Sequence, residues 1–304
     1  MRSPIDVRRV ILVVLDGLRP DAIEQFDLRQ LREIQRRGAS TGTARTVAPS
    51  VTAAAMGSLL TGVPPERHGL VSDRFHIPRP TSPLRPMPRV LVESNYPASA
   101  FITRPPLLFR WIAGRLGRHL GFSRARFVGK DAAGVLAAAG ATIASQRRGL
   151  ILLHWPDADR AGHDHGWMTP EYGAAARKMD ESLARLGRLI DAPDEDGTLL
   201  ILLSDHGGGG TVPNQHDSAH PSDRTTFVTL AGRRVLPGAL GDSISLLDVP
   251  ATVLWALGVK APDDYAGTPI RAAFRQAVEL PPGARASWAS VAARPDAPVT
   301  RELT

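Results

Sequence analysis

The chain has 304 residues, 43% of them hydrophobic, which is enough apolar material for one large core or for a core with a small lid. Because it contains no cysteine, disulfides and thiolate metal sites are excluded, and any metal must bind carboxylate, imidazole or hydroxyl groups. The net charge is +7, but the sequence has no zinc-finger spacing, aromatic RNA-binding motif or heptad repeat. We therefore expect no specific nucleic-acid module.

Strands and helices are predicted to alternate along the chain. The first strand, Arg9–Leu15, is a continuous run of β-branched residues and leucine, which is typical of a strand buried on both faces. Further strands are predicted at Ala98–Thr103, Arg126–Gly129, Gly149–His154, Thr198–Ser204 and Thr226–Leu230, and helices at Ala22–Arg37, Ser50–Leu60, Asp131–Gln146, Pro170–Ile190 and Ser245–Leu257. This order predicts an α/β fold, a three-layer sandwich around a mainly parallel central sheet.

The segment from about residue 74 to residue 130 has a different composition from the rest of the chain. It is rich in proline at its start, which predicts an irregular excursion, and between Arg74 and Arg126 it has ten arginines against one acidic residue, Glu93. We expect this segment to form a small basic lid. Its Leu107–Phe122 stretch is predicted to be an amphipathic helix, for which packing on the core is favoured over contact with a membrane surface.

The predicted organisation is a single domain over residues 1–275, followed by a loosely structured tail over 276–304, where no periodic pattern is found. The longest apolar run near the N-terminus, Val10–Leu15, is too short to span a bilayer. It is also not followed by a small-residue cleavage site, so we expect neither a signal peptide nor a membrane anchor, and a cytoplasmic location.

Candidate metal ligands follow three predicted strands. Asp16 ends the first strand, His154–His165 follow the strand that begins at Gly149, and Ser204–Gly207 follow the strand that begins at Thr198. In open α/β sheets, active sites gather at the carboxyl ends of the strands. Mixed carboxylate and imidazole ligands suit Zn²⁺ or Mn²⁺, whereas an all-oxygen set would suit Mg²⁺ or Ca²⁺.

Within the second of these segments, Asp159 and His163 stand four residues apart, and we expect them on a loop that contains Gly162. Asp205 and His206 are adjacent in the third. Each residue alone could be an ordinary strand-end or loop residue. Three strand ends that carry aspartate or an Asp-His pair favour a metal site.

A candidate nucleophile precedes the helix predicted near residue 52. Ser50 or Thr52 stands at the N-terminus of this helix, where either residue could simply cap it. The same position exposes free N–H groups and the positive end of the helix dipole, which can bind a phosphate oxygen. A hydroxyl becomes a strong nucleophile there when it is deprotonated by direct metal coordination.

Several segments, in the expected order, resemble the type I phosphodiesterase/nucleotide pyrophosphatase family of the alkaline phosphatase superfamily. They are Val10–Asp21 for the opening strand, Pro49–Thr52, Leu59–Gly62 and Pro65–Gly69 for the nucleophile segment, Asp159–His163 and Ser204–Gly207 for the metal motifs, and Ser245–Leu254 for the closing helix. The resemblance implies an alkaline phosphatase-like fold. It also implies a hydrolase of phosphate esters that acts through a phospho-threonine intermediate, and it selects Thr52 over Ser50.

The resemblance further implies two divalent ions, with Zn²⁺ favoured over Mn²⁺. One ion would be held by Asp16, Thr52, Asp205 and His206, and the other by Asp159, His163 and a later histidine. His216 is preferred for this last position because its distance to the following strand fits better, and His220 is the alternate.

One departure from the family pattern bears on the substrate. The family usually has Phe-Pro-Asn-His after the nucleophile, whereas Ala53–Met56 stand here, so the asparagine that would donate to a phosphate oxygen is missing. We expect the partner to be a small-molecule phosphate ester and the activity to be that of a phosphodiesterase or nucleotide pyrophosphatase. The alternatives are a phosphomonoesterase or phosphonate hydrolase of the same superfamily, and a non-catalytic, metal-stabilised protein that binds anions.

Overall fold

An eight-stranded sheet forms the middle layer of the structure, a computed structural model that describes residues 3–74, 77–103, 117, 119–190 and 197–275. Its strands are β1 (Arg9–Leu15), β2 (Ala39–Arg45), β3 (Ala98–Ile102), β4 (Arg124–Phe127), β5 (Gly149–Trp155), β6 (Thr198–Leu203), β7 (Thr225–Ala231) and β8 (Gly238–Ala239). Their spatial order is β4-β3-β5-β1-β6-β7-β2-β8. Every pairing in this sheet is parallel except the two made by β7, so β7 alone is reversed.

Helices cover both faces of the sheet. The described helices are α1 (Ala22–Gln25), α2 (Arg29–Arg37), α3 (Thr52–Thr61), α4 (Pro65–His68), α5 (Met87–Glu93), α6 (Ala132–Ser145), α7 (Asp157–His165), α8 (Pro170–Ile190), α9 (Pro221–Arg224) and α10 (Asp248–Ala256), with a 3₁₀ turn at Arg271–Ala273. Apolar residues of α2, α6 and α8 share one core cluster, and those of α3, α5 and α10 share the other. The predicted three-layer α/β sandwich around a mainly parallel sheet is therefore confirmed.

Strand β1 shows how the sequence produces these two cores. All seven of its residues are buried. Because side chains alternate across a strand, Val10, Leu12 and Val14 enter the core beside α3, α5 and α10. Ile11, Val13 and Leu15 enter the core on the opposite face. A strand buried on both faces needs apolar residues, which Val10–Leu15 provide. The buried Arg9 at its start is accommodated because its guanidinium donates to Thr198 Oγ1 and to the carbonyl of Ile143.

Two elements differ from the prediction near the N-terminus. The single helix predicted over Ala22–Arg37 is divided into α1 and α2, because Asp27 takes a left-handed conformation with φ of 52°. Strand β2 was not predicted from its sequence, Ala-Ser-Thr-Gly-Thr-Ala-Arg, which lacks large apolar residues. Its pairing with β7 includes a register shift between Thr41 and Ala44.

The segment predicted as a lid contributes to the central sheet. Residues 98–102 and 124–127 are strands β3 and β4, and residues 87–93 form α5 within the proline-rich part that was expected to be irregular. The helix predicted over Leu107–Phe122 lies largely outside the described residues, as does the predicted tail at 276–304. The domain division with a lid at about 74–130 stays a prediction. Among the described helices, none combines the length and apolar character that crossing a membrane requires.

Candidate metal centre

The three central strands of the sheet, β5, β1 and β6, bring the candidate ligands together at their carboxyl ends. In the register of the sheet, Val14 on β1 lies beside His154 on β5 and beside Leu203 on β6. Asp16 and Asp205 each stand two residues beyond these paired positions. As a result, one ligand atom each from Asp16, His154 and Asp205 lie within 4.8 Å of one another, and all three residues are buried.

The segment that carries Asp159 and His163 is helical, so the prediction that it forms a loop is wrong. It is α7, in which a spacing of four residues places both side chains on one face, with Asp159 Oδ1 3.5 Å from His163 Nε2. The backbone N–H of Asp159 donates to the carbonyl of Asp16 at 3.0 Å, which ties α7 to the end of β1. Gly162 is required inside this helix, because a Cβ there would lie 2.5 Å from the ring of Trp167.

The two candidate hydroxyls have different surroundings. Ser50 is fully buried, and its hydroxyl donates to the main-chain carbonyl of His216. Thr52 is the first residue of α3, and its Oγ1 faces the ligand cluster, 3.0 Å from His206 Nε2 and 3.4 Å from Asp16 Oδ1. The structure thus brings Thr52 to the cluster and leaves the Ser50 hydroxyl bonded to the backbone.

A first group of ligand atoms surrounds Thr52. His206 Nε2 lies 3.3 Å from Asp16 Oδ1 and 3.7 Å from Asp205 Oδ2. Donor atoms that share a tetrahedral ion at about 2.0–2.2 Å lie about 3.3–3.6 Å apart. The spacings among Asp16, Thr52, Asp205 and His206 are close to that separation, so these four side chains fit the predicted first metal site.

A second group lies beside the first. His216 Nε2 is 3.1 Å from His163 Nε2 and 3.7 Å from Asp159 Oδ1. His220 is exposed, and its Nδ1 accepts from the N–H of Ser222 at the start of α9, so the structure places His216 and not His220 in the cluster. The ring of His216 also stacks on that of His206, with centroids 3.9 Å apart, so the two groups are in direct contact.

Hydrogen bonds to the main chain orient three of the imidazoles. Nδ1 of His163 lies 3.0 Å from the carbonyl of Asn214, Nδ1 of His206 lies 2.8 Å from that of Gly207, and Nδ1 of His216 lies 2.7 Å from that of Ser50. A carbonyl can only accept, so each Nδ1 carries a proton and donates it. The Nε2 atom of each ring therefore faces the cluster, and in the neutral form its lone pair is available to a metal ion, as in metal-bound histidines.

The electrostatics of the cluster favour bound cations. Burial raises the pKa of Asp16 well above its ordinary value, and the nearby carboxylates of Asp205 and Asp159 raise it further. Burial would lower the pKa of His206, but Asp205 and Asp16 hold it well above the ordinary value. Among the described residues, the buried Oδ1 of Asp159 and Oδ2 of Asp205 have no hydrogen-bond partner. Divalent ions would compensate both the crowded charges and these unpartnered oxygens.

Two residues near the cluster were not assigned a role from sequence. His154 lies at the end of β5 and is buried, with Nε2 3.4 Å from Asp16 Oδ2. Its position at a strand end was a usable signal, but it belongs to none of the family motifs. Asp73 accepts a hydrogen bond of 2.8 Å from the N–H of Ala53, next to Thr52. No pattern in the sequence indicated this contact, which joins two segments that are twenty residues apart.

Comparisons with known proteins identify the family of this chain. The family model of type I phosphodiesterase/nucleotide pyrophosphatase matches residues 10–86 and 96–223. The 2,3-bisphosphoglycerate-independent phosphoglycerate mutase of Shewanella baltica is 28% identical over 134 residues, which are 43% of this chain and 24% of the mutase. The corresponding mutase of Haloarcula marismortui is 26% identical over 123 residues, 40% of this chain and 23% of that protein. The match thus spans about a quarter of the length of these relatives.

Solved structures show the same fold. Murine ectonucleotide pyrophosphatase/phosphodiesterase 5, as an inactive threonine-to-alanine variant in complex with AMP, superposes with a TM-score of 0.71 at 14% identity, covering 88% of this chain and 100% of that one. BT1596, a 2-O GAG sulfatase, superposes with a TM-score of 0.68 at 13% identity, covering 90% of this chain and 76% of the sulfatase. Because the family model matches about two thirds of the chain, the protein belongs to the type I phosphodiesterase/nucleotide pyrophosphatase family of phosphoric ester hydrolases.

Proposed function

We propose that this protein hydrolyses phosphodiesters, with Thr52 as the nucleophile at a site for two divalent ions, zinc in preference to manganese. The observation that carries the proposal is the position of Thr52 Oγ1, 3.0 Å from His206 Nε2 and 3.4 Å from Asp16 Oδ1. A hydroxyl among metal-ligand atoms is where a coordinated alkoxide can form. The inactive variant of the murine relative replaces a threonine, which supports a threonine as the attacking group.

The residues present fit two ions by both geometry and charge. Asp16, Asp205, His206 and Thr52 would hold one, and Asp159, His163 and His216 would hold the other. Three carboxylates and a deprotonated Thr52 carry four negative charges, which two divalent ions balance. The mixed nitrogen and oxygen donors suit zinc or manganese. When bound, the ions lower the pKa of the hydroxyl beside them and neutralise charge on the phosphoryl group.

The chain's own residues orient and drive the displacement. Thr52, at the N-terminus of α3, attacks phosphorus, so an Oγ–P bond forms as the bond from phosphorus to the leaving oxygen breaks. The leaving group departs with a proton as the free alcohol or nucleotide. Water then cleaves the Oγ–P bond, releases the phosphate product and returns a proton to Thr52. The buried Ser50 supports this geometry, because its carbonyl holds the ring of His216.

The surroundings of Thr52 favour diesters over monoesters. Ala54 and Ala55 are fully buried in the core, so only Ala53 and Met56 of the small apolar stretch after the nucleophile remain partly exposed. The N–H of Ala53, which could bind a phosphate oxygen, donates to the carboxylate of Asp73. A monoester dianion carries one more negative charge than a diester and is repelled more strongly by this carboxylate.

The test is hydrolysis of bis-p-nitrophenyl phosphate and of p-nitrophenyl phosphate by the purified chain with measured metal content. We expect a higher kcat/KM for the diester, loss of activity with a chelator, and recovery with Zn²⁺ or Mn²⁺. Asp159→Ala should lose one ion and most of the activity, because each ligand also orients its neighbours. Activity that survives complete metal removal would contradict the two-ion site, and a preference for the monoester would contradict the substrate class.

A further inference from the structure

His154 has the features of a metal ligand but lies outside every motif assigned above. It is the sixth residue of β5 and is 5% exposed, so its imidazole is enclosed by the protein. Among the described residues, neither of its ring nitrogens has a hydrogen-bond partner. A buried polar group without a partner is destabilising, and such groups are rare in native proteins unless an ion or water completes them.

The unpartnered ring lies beside two buried carboxylates, those of Asp16 and Asp205. His154 Nε2 lies 3.4 Å from Asp16 Oδ2, and it forms a group with Asp16 and Asp205 whose ligand atoms are all within 4.8 Å of one another. Asp205 Oδ2 also has no hydrogen-bond partner. His154 and Asp205 therefore present unpartnered ligand atoms beside the carboxylate of Asp16, and all three residues are buried.

The two oxygens of Asp16 serve different neighbours. Oδ1 lies near Thr52 Oγ1 and His206 Nε2, whereas Oδ2 lies near His154. A separation of 3.4 Å between Oδ2 and Nε2 is short enough for both atoms to bind one zinc ion. We propose that His154 Nε2 is a fifth protein ligand of the first metal ion, in addition to Asp16, Thr52, Asp205 and His206.

This inference rests on the two-ion site of the proposed function and adds an imidazole to it. Zinc in catalytic sites can expand from four ligands to five, and a further nitrogen donor favours zinc over hard, oxygen-preferring ions such as Mg²⁺. The rival explanation is that His154 only orients Asp16 by donating a hydrogen bond to Oδ2. The two explanations differ in whether a metal–nitrogen bond exists, which can be measured without any substrate.

The experiment is NMR of the zinc-loaded full chain labelled with ¹⁵N-histidine, combined with zinc affinity from chelator competition. We expect four histidines with a zinc-bound nitrogen, His154, His163, His206 and His216. The His154→Gln variant should lose one of these signals and bind one ion at least about 100-fold more weakly, since even indirect partners of metal ligands contribute about 10–100-fold. Glutamine can still donate a hydrogen bond to Asp16, so this substitution preserves the orienting role.

The matched control is His68→Gln. His68 is also buried, but its Nε2 lies 3.0 Å from Ser58 Oγ and its Nδ1 accepts from the N–H of Leu70. This variant should keep four zinc-bound histidines and the affinity of the unaltered protein. Two bound ions with only three zinc-bound histidines in the unaltered protein would overturn the role of His154 and leave the proposed function standing, even if His154→Gln failed to fold. A protein that binds no zinc would overturn both.

Discussion

Removing the divalent ions from this protein should lower its melting temperature, and the loss should grow as the pH rises. Without cations, the buried Asp16 and Asp205 and the half-buried Asp159 remain close together, and Asp159 Oδ1 and Asp205 Oδ2 lack hydrogen-bond partners among the described residues. Any ligand that binds only the folded chain stabilises it. Bound ions would therefore stabilise the folded state as well as serve the proposed activity.

The size of this effect follows from the spacing of the carboxylates. Two unit charges 4.8 Å apart, the upper limit of separation within the group of Asp16, His154 and Asp205, would repel each other by about 3.5 kcal/mol at an effective dielectric constant of about 20. This sets the scale of the cost to the metal-free protein, whether Asp16 is ionised beside Asp205 or avoids the repulsion by keeping a proton. For a chain of this length, about 1 kcal/mol shifts the melting temperature by about 2 °C. We therefore expect the metal-free protein to melt about 7 °C below the loaded one near neutral pH.

The pH dependence of the metal-free protein follows from the raised pKa values of Asp16 and His206. Each group holds a proton in the folded state that the unfolded chain has released above its ordinary pKa, 3.8 or 6.5. Their stabilisation is present at low pH and is lost as the pH rises through the folded values. Above 6.5, His154 and His216, whose pKa values are lowered by burial, are neutral in both states. Burial would raise the pKa of Asp205, but His206 and His154 lower it overall, so Asp205 is ionised in both states.

Above pH 6.5, each proton that the folded state holds in excess of the unfolded state lowers the stability of the metal-free protein by about 1.4 kcal/mol per pH unit. The assay is calorimetric unfolding at about pH 7 and about pH 8.5, each with and without excess chelator. The control is chelator that was saturated with Zn²⁺ beforehand. Equal melting temperatures with and without chelator would refute the ion requirement. If the difference in melting temperature between the loaded and the metal-free protein became smaller toward alkaline pH, the raised pKa values of Asp16 and His206 would be refuted.

Three further predictions concern single side chains. Thr52→Ala should reduce turnover by at least about 10³-fold with both ions retained, while Thr52→Ser keeps measurable activity; if Ser50→Ala were the inactive variant instead, the nucleophile would be misassigned. His216→Ala should lower the affinity for one ion in a metal titration, whereas His220→Ala should leave the binding of both ions unchanged. The opposite ranking would make His220 the last ligand of the second ion. Asp73→Asn should raise kcat/KM for p-nitrophenyl phosphate about tenfold relative to the bis-ester, equivalent to about 1.4 kcal/mol, and an unchanged ratio would mean that Asp73 does not act on the dianion.

The central strands could be predicted from the sequence because burial on both faces leaves a clear pattern. Strand β1 was predicted with its observed bounds, and β5 and β6 with ends within one residue of those observed. Since parallel strands end at the same side of a sheet, the meeting of Asp16 and Asp205 followed from these three strands alone. Strand β2 was missed because its stability comes from pairing with β7 and β8, which small and polar residues permit but do not signal.

The candidate site was harder to predict where tertiary contacts determine the local structure. Gly162 suggested a loop, but α7 is helical because the backbone of Asp159 bonds to the end of β1 and the glycine lets Trp167 pack closely. His154 stood at a strand end without a recognisable motif, and only its burial and its unpartnered nitrogens draw attention to it. Neither property can be read from a single sequence.

The strand register that gathers the proposed ligands of the first metal ion also determines when that site can form. The N–H of Gly17 donates to the carboxylate of Asp205, and 188 positions separate these two residues in the chain. We expect contacts between such distant segments to form late in folding, because closing a long loop costs entropy. Ions that bind only after β1, β5 and β6 have assembled should slow unfolding and leave the folding rate nearly unchanged. Stopped-flow refolding and unfolding, each with and without Zn²⁺, would show this asymmetry as a change in the unfolding limb alone.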